Sequence, residues 1–325
     1  MRSVLVLAAL VLAGLALSFV ASEYTLRLLN MAVIAAVAVV GLNFAFGYAG
    51  LISLGHSAFV GLGAYGLAIL TTKAGWSPWL AAIPAIAGTG LAAAALGYPL
   101  LRLKGHYLAL ATLGLNVSFG IVAANWIELT GGTNGIAQIP GLTLAGHAIE
   151  GEQAFLWFGL AVLAVLGLAA LAIHASRLGR AMMAVRDDET AAAMTGIDVT
   201  GVSVAAFVLS ALYAAVAGCL FAVHVHFVSP DDFNVAHAIT FLSMLIVGGE
   251  GSVAGAIIGA ALLTFLPEWL RVLGEGYLAF FGLMMLAILV FLPTGIVGLV
   301  RRWRRPARPA ASAAAPEGAR PGVQP

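Results

Sequence analysis

Long apolar runs separated by short polar breaks set the pattern of this chain. A helix needs about 20 apolar residues to cross the hydrocarbon of a bilayer. Runs that meet or approach this length occupy 4–20, 28–46, 51–70, 78–101, 107–124, 154–175, 202–227 and 277–300. A further stretch, 239–270, is predominantly apolar and is interrupted by Gly248-Gly-Glu-Gly251. The run at 4–20 follows Arg2 and ends near Ala21-Ser22, which also suits a secretory h-region. Because everything after it reads as membrane-embedded, it is taken as a retained first helix. Splitting the long stretch at its glycines gives about ten crossings, some of them discontinuous or re-entrant. The fold class expected is an all-α polytopic integral membrane protein.

Composition removes the soluble alternatives. Hydrophobic residues are 62% of the 325 and charged residues 9%, against about half and about a quarter in ordinary soluble domains. Basic residues orient the bundle. With the N-terminus inside and ten crossings, twelve of the fifteen fall inside, including Arg2, Arg102, Lys104 and the Arg301–Arg305 cluster. Arg27, Lys73 and Arg271 fall outside. Reading 239–270 as one span would move the Arg301–Arg305 cluster outside, so the segment crosses twice or not at all. Both termini are then cytoplasmic. The division expected is a transmembrane domain over 1–300 and a disordered Arg/Pro/Ala tail over 301–325. A net charge of +1 gives no case for nucleic acid, and lipid is the obvious surrounding partner. Cys219 is the single cysteine, so no disulfide framework exists. His224 and His226, at i,i+2, point to different sides of a helix and do not suggest a metal site.

Two apolar stretches are broken by glycine. The first is Phe46-Gly-Tyr-Ala-Gly-Leu-Ile-Ser-Leu-Gly-His56 and the second Gly248-Gly-Glu-Gly-Ser252. An opened turn in lipid is tolerated only where protein or a water-filled cavity satisfies its polar groups. Paired interruptions in corresponding halves point to a transport site. Gly251, Gly255 and Gly259 also have the spacing that lets two helices approach closely, which explains them equally well. Gly61-x-Gly63-x-x-Gly66 matches a dinucleotide fingerprint by accident, since no βαβ unit can surround it. Ionisable groups inside a membrane face a partner or a cavity, which singles out His56 and Glu250. With Asn43, Ser53, Asn116 and Ser252 they form the candidate pathway or gating set, although each alone could be a helix–helix hydrogen bond or an interfacial group.

The most specific feature lies in 176–198, which holds seven of the chain's twenty-nine charges. Asp187, Asp188 and Glu189 favour a helix N-terminus, Ala191–Met194 are good helix formers, and Gly196 is a natural stop. A helix lying flat on lipid would explain the segment. The small, alanine-rich patch lacks lipid-binding aromatics, however, and suits docking into a groove of a partner protein.

Here the residues resemble a known family. Glu189-x-Ala191-Ala192-x-x-x-Gly196 is similar to the coupling loop of ABC importer permeases. That segment resembles its counterpart in branched-chain amino acid permeases of the LivM type. So do the two glycine breaks, Leu103-Lys-Gly-His-Tyr-Leu-Ala-Leu-Ala-Thr112 and Thr130-Gly-Gly-Thr-Asn-Gly135. The resemblance runs in order over about residues 27–300. It implies one half of a heterodimeric channel paired with a LivH-type permease, two cytoplasmic ATPases, and a periplasmic binding protein delivering leucine, isoleucine or valine across a bacterial inner membrane. In that reading Arg180, Arg186, Asp187, Glu189, Ala192 and Gly196 form the ATPase-coupling set, with Ala192 inside the ATPase groove. The loop 125–153 faces the binding protein. The chain binds no cofactor of its own; ATP and Mg²⁺ sit on the partner ATPases. The residues agree, since Lys73 and Lys104 are the only lysines and neither follows glycine, so no P-loop is present.

Alternatives of other kinds remain. Related permeases serve urea or short amides. An ion-coupled secondary transporter would use His56 and Glu250 but has no need of the docking segment. An enzyme would need convergent acid–base or nucleophilic groups, and no such motif appears within a span. Asp231-Asp232 reads as a solvated turn beside Ser229-Pro230.

Overall fold

The computed structural model describes residues 2–270 except 145, 146 and 150, together with 282 and 295–298. Apart from those last residues, the expected span 277–300 and the tail 301–325 lie outside the described residues. The helices are α1 (Arg2–Leu17), α2 (Glu23–Leu42), α3 (His56–Thr72), α4 (Pro78–Leu100), α5 (His106–Asn125) and α6 (Ile127–Thr130). They continue with α7 (Glu152–Ala175), α8 (Arg177–Asp187), α9 (Glu189–Met194), α10 (Val199–Val225), α11 (Val235–Gly248) and α12 (Val253–Leu270). Among the described residues six helices, α2 with its extension to Tyr48, α4, α5, α7, α10 and α12, are long and apolar enough to cross a membrane; α1 and α3 are apolar but shorter. The protein is thus an all-α polytopic membrane protein. Its only regular strands among the described residues are two-residue pairs, β1 (Ile136–Ala137) with β4 (Phe227–Val228) and β2 (Thr143–Leu144) with β3 (His147–Ala148).

Buried apolar surface explains the arrangement of the helices. α2 is buried on all sides from Ala32 to Leu42, the mark of a helix at the centre of a bundle. α10 packs against α2, α3 and α4, and α12 against α2 and α11. α4, α5 and α7 bury only one face. Polar contacts define the two ends of the bundle. At one end Trp157 Nε1 donates to Ser18 Oγ at 3.0 Å, Asn30 donates to Glu152 Oε2 at 2.7 Å, and β1 pairs with β4. Exposed Trp76, Trp79, Trp126 and Trp157 gather there, as aromatics do at membrane–water interfaces. At the other end lie the α2–α3, α4–α5 and α11–α12 connections and the α8–α9 pair.

The structure departs from the sequence pattern at 51–70, where one span was expected. α2 instead continues through a π-helical turn, Asn43–Tyr48, and α3 begins only at His56. Gly50 adopts φ +71°, a left-handed conformation that ends the helix. Residues 51–55 are irregular, and the Leu54 N–H is satisfied by Thr112 Oγ1 of α5 at 3.0 Å. An opened backbone inside the bundle is therefore paired by a side chain, as a low-dielectric environment demands.

The second break also divides its segment, as the glycines suggested, but α11 starts at Val235 and has 14 residues. At 1.5 Å per residue it reaches about 21 Å, short of the roughly 30 Å hydrocarbon core. α11 and α12 then pack with almost no side chains between them. A Cβ on Gly259 would overlap the Met244 carbonyl, and one on Gly248 would overlap the Gly255 carbonyl. Close packing accounts for Gly255 and Gly259, whereas Gly251, at φ +74°, belongs to the turn. Gly259→Ala is therefore expected to destabilise the protein by about 1–3 kcal/mol, since backbone cannot move aside. Gly120→Ala, where a Cβ meets nothing within 4 Å, should leave thermal unfolding in detergent unchanged; equal melting of the two variants would refute the packing argument.

Candidate functional site

The 176–198 segment is a pair of helices, where the sequence suggested one. Ser176 caps α8, accepting from the Gly179 N–H at 3.3 Å. α8 buries Gly179, Met182 and Val185, a stripe at helical spacing. Arg180 folds back to donate to the Ala175 carbonyl at 2.9 Å, closing the end of α7. Asp188 then breaks the path and caps α9, its Oδ1 accepting from the Thr190 and Ala191 N–H groups at 2.8 and 2.9 Å. Gly196, at φ +83°, ends the segment. Asp187 is exposed at the bend.

Arg186, on the last turn of α8, reaches back into the bundle. Its Nη1 donates to the Gly47 carbonyl, in the first glycine break, and its Nη2 to Glu250 Oε1 at 2.5 Å, in the second. The two breaks also touch directly, because the Asn43 Oδ1 accepts the Gly251 N–H at 2.9 Å. Gly47 suits this position, since a Cβ would come within 2.8 Å of the Gly251 backbone nitrogen as well as overlap Asn43 Oδ1. Ser252 caps α12 by accepting from the Gly255 N–H at 3.2 Å. A second ion pair, Lys104 to Glu189, ties the start of α9 to the α4–α5 connection. Between the two pairs opens a cavity of about 510 Å³, lined by Gly50, Ile52, Arg102, Leu108, Asp187 and Ser203 among others.

The candidate pathway set separates into two places. Asn43, Glu250 and Ser252 sit at this junction. Ser53 and His56 lie deeper. Ser53 Oγ accepts the Gly55 N–H at 3.3 Å. His56 is buried; its Nε2 donates to the Ala38 carbonyl at 2.8 Å, and Ser210 Oγ lies 3.2 Å from Nδ1. Its ring also packs edge-on to Phe241. His56 thus joins α3 to α2, α10 and α11 as a satisfied core histidine. Asn116 lies one turn beyond Thr112 on the α5 face that meets α3. It is 2% exposed, and neither of its amide atoms has a hydrogen-bond partner among the described residues.

Within α9, Ala192 is 4% exposed and turns inward, while Met194 is 85% exposed. Sequence reading did not single out Met194, although a helical projection places it away from Ala192's side. It also missed the cluster at the opposite end, where Glu152 accepts from Asn30 and lies 3.6 Å from His224 Nε2. The signal available was a carboxylate at the edge of an apolar run. The Asp231-Asp232 pair does form a turn, with Asp232 accepting from the Ser229 N–H and hydroxyl at 2.8 and 2.9 Å.

A bundle of spanning helices with two backbone breaks, both gripped by a charged helix pair at one end, is built as a membrane permease. The chain belongs to the family described as branched-chain amino acid transport system / permease component, which matches residues 24–292. It is 35% identical over 322 positions to the high-affinity branched-chain amino acid transport system permease protein LivM of Escherichia coli K12, covering 91% of this chain and 75% of the relative. Identity to LivM of Salmonella typhimurium is 34% over the same shares. The E. coli permease protein LivH is 28% identical over 286 positions, 80% of this chain and 89% of the relative. No solved structure matches the chain.

Asn43→Ala removes the acceptor for the Gly251 N–H and is expected to lower stability by about 1–3 kcal/mol, the cost of stranding a largely buried polar group. An unchanged unfolding midpoint in detergent would show that the junction does not depend on this bond.

Proposed function

We propose that this chain is the membrane-spanning permease subunit of an ABC importer for leucine, isoleucine and valine in a bacterial inner membrane. The observation that carries the reading is the α8–α9 pair. It projects an exposed face in which the large side chain of Met194 stands among the small residues Ala191, Ala193 and Thr195, while its other side is fixed to both broken segments. Two cytoplasmic ATPases dock on that face and bind the ATP and Mg²⁺; the chain itself catalyses nothing. A LivH-type permease completes the channel. A periplasmic amino-acid-binding protein delivers substrate to the opposite end, where 125–153 folds over the bundle.

The alternation of the helices supports the sidedness. α1 starts, and α2, α4, α7 and α11 finish, at the end holding α8–α9, which the basic residues make cytoplasmic. α12 leaves this end, and Gly295 is found there again, against Gly249 and Ile246.

Because Ala192 faces inward, the groove of the ATPase receives Met194 and Ala191 instead. Met194→Asp is expected to abolish ATPase recovery when the tagged chain is purified from mild-detergent membranes, whereas Gly120→Ala should retain it. Co-purification of a second permease and two ATPases with the unsubstituted chain, and hydrolysis stimulated by a leucine-loaded binding protein, is the outcome this function requires. A solitary chain catalysing proton- or sodium-driven uptake would overturn it.

A further inference from the structure

We propose that Arg186 and Glu250 form a breakable clasp through which the α8–α9 pair moves both glycine breaks together. Both act as positioning residues for the cytoplasmic gate. The inference rests on the importer reading and concerns the route by which motion at the docking face reaches the spanning helices.

Four observations place it there. Arg186 occupies the last turn of α8 before the bend at Asp188, so rotation of the α8–α9 pair against the bundle reaches the two breaks through this side chain. Its two bonds go to different breaks, Gly47 in the first and Glu250 in the second. The breaks are themselves joined by the Asn43–Gly251 bond, so a pull on one displaces the other. Finally, the side chains of Arg186 and Glu250 are 33% and 35% exposed. A pair so open to water contributes little net stability and can part within a transport cycle.

The geometry also names what opens. The cavity between the two ion pairs has the first break, at Gly50 and Ile52, as one wall and α10, at Ser203, as another. Gly50 lies against Arg186, a Cβ there coming within 3.1 Å of the Arg186 Cγ. Movement of Arg186 therefore changes the width of the cavity at Ile52. Lys104–Glu189, on the far rim, is the more exposed of the two pairs and serves as a tether.

The test uses the whole complex of both permeases, the ATPases and the binding protein in proteoliposomes. Cys219 is buried, so Ile52→Cys can be labelled on this chain with an impermeant maleimide and resolved on a gel. In the otherwise unsubstituted complex, trapping with ATP and vanadate should change the labelling rate severalfold. Glu250→Gln keeps the shape of the side chain and removes its charge. It should abolish that response and raise the ATP hydrolysed per leucine imported by about tenfold, a coupling loss of ordinary allosteric size. Arg186→Lys keeps the charge without the two-armed geometry and should fall between. A Glu250→Gln complex with unchanged labelling response and unchanged stoichiometry overturns the clasp. Failure of the unsubstituted complex to import with ATP overturns the importer reading beneath it, so the two failures are told apart.

Discussion

The whole arrangement depends on one constraint: backbone opened inside an apolar bundle must find partners within the protein. Residues 43–55 and 248–252 leave regular α-helix, and much of their backbone is turned into the bundle, away from water. Each is completed by side chains distant in sequence. Thr112 takes the Leu54 N–H, Asn43 takes the Gly251 N–H, and Arg186 takes the Gly47 carbonyl. The three bonds tie α5 and α8 to the first break and the two breaks to each other, and so fix which helices can move independently. α5 touches only the first break, whereas α8 holds both.

How much of this could be read from the sequence depends on how local the cause is. The cap at Asp188 and the stop at Gly196 are local, and both were legible. So was the division of 239–270, because three glycines around one carboxylate cannot continue a buried helix at low cost. The start of α3 was not legible. Leu51, Ile52 and Leu54 report burial but not conformation, and the conformation is set by Gly50 together with a hydroxyl nearly sixty residues later. α8 was missed because its apolar stripe is only Gly179, Met182 and Val185, set among arginines that read as loop. Ala192 was expected inside the ATPase groove, but it faces the bundle. Its direction depends on how α9 sits on the bundle, which no spacing within the segment reveals.

His56 shows the same limit from the other side. An ionisable ring in an apolar run raised the expectation of a pathway, and sequence could not weigh that against burial with satisfied nitrogens. The structure supplies Ala38 and Ser210 as partners from two different helices. Asn116 is the reverse case. Nothing in its local sequence separates it from Asn43, yet Asn43 is engaged through its carbonyl and Asn116 has neither amide atom paired among the described residues.

Strength of contact argues for where motion is allowed. Gly248, Gly255 and Gly259 press backbone against backbone, a contact that cannot slide without losing many van der Waals partners at once. α11 and α12 must therefore move as one body. Asn43–Gly251 is largely buried, and breaking it would strand a polar group in an apolar setting. Arg186–Glu250 is different. Both partners can be solvated when separated, so the penalty for parting is only about 0–1 kcal/mol, the range of exposed ion pairs. A cyclic machine needs contacts that transmit force without trapping either state. Of the bonds that join the α8–α9 pair to the breaks, this is the one whose loss water can compensate.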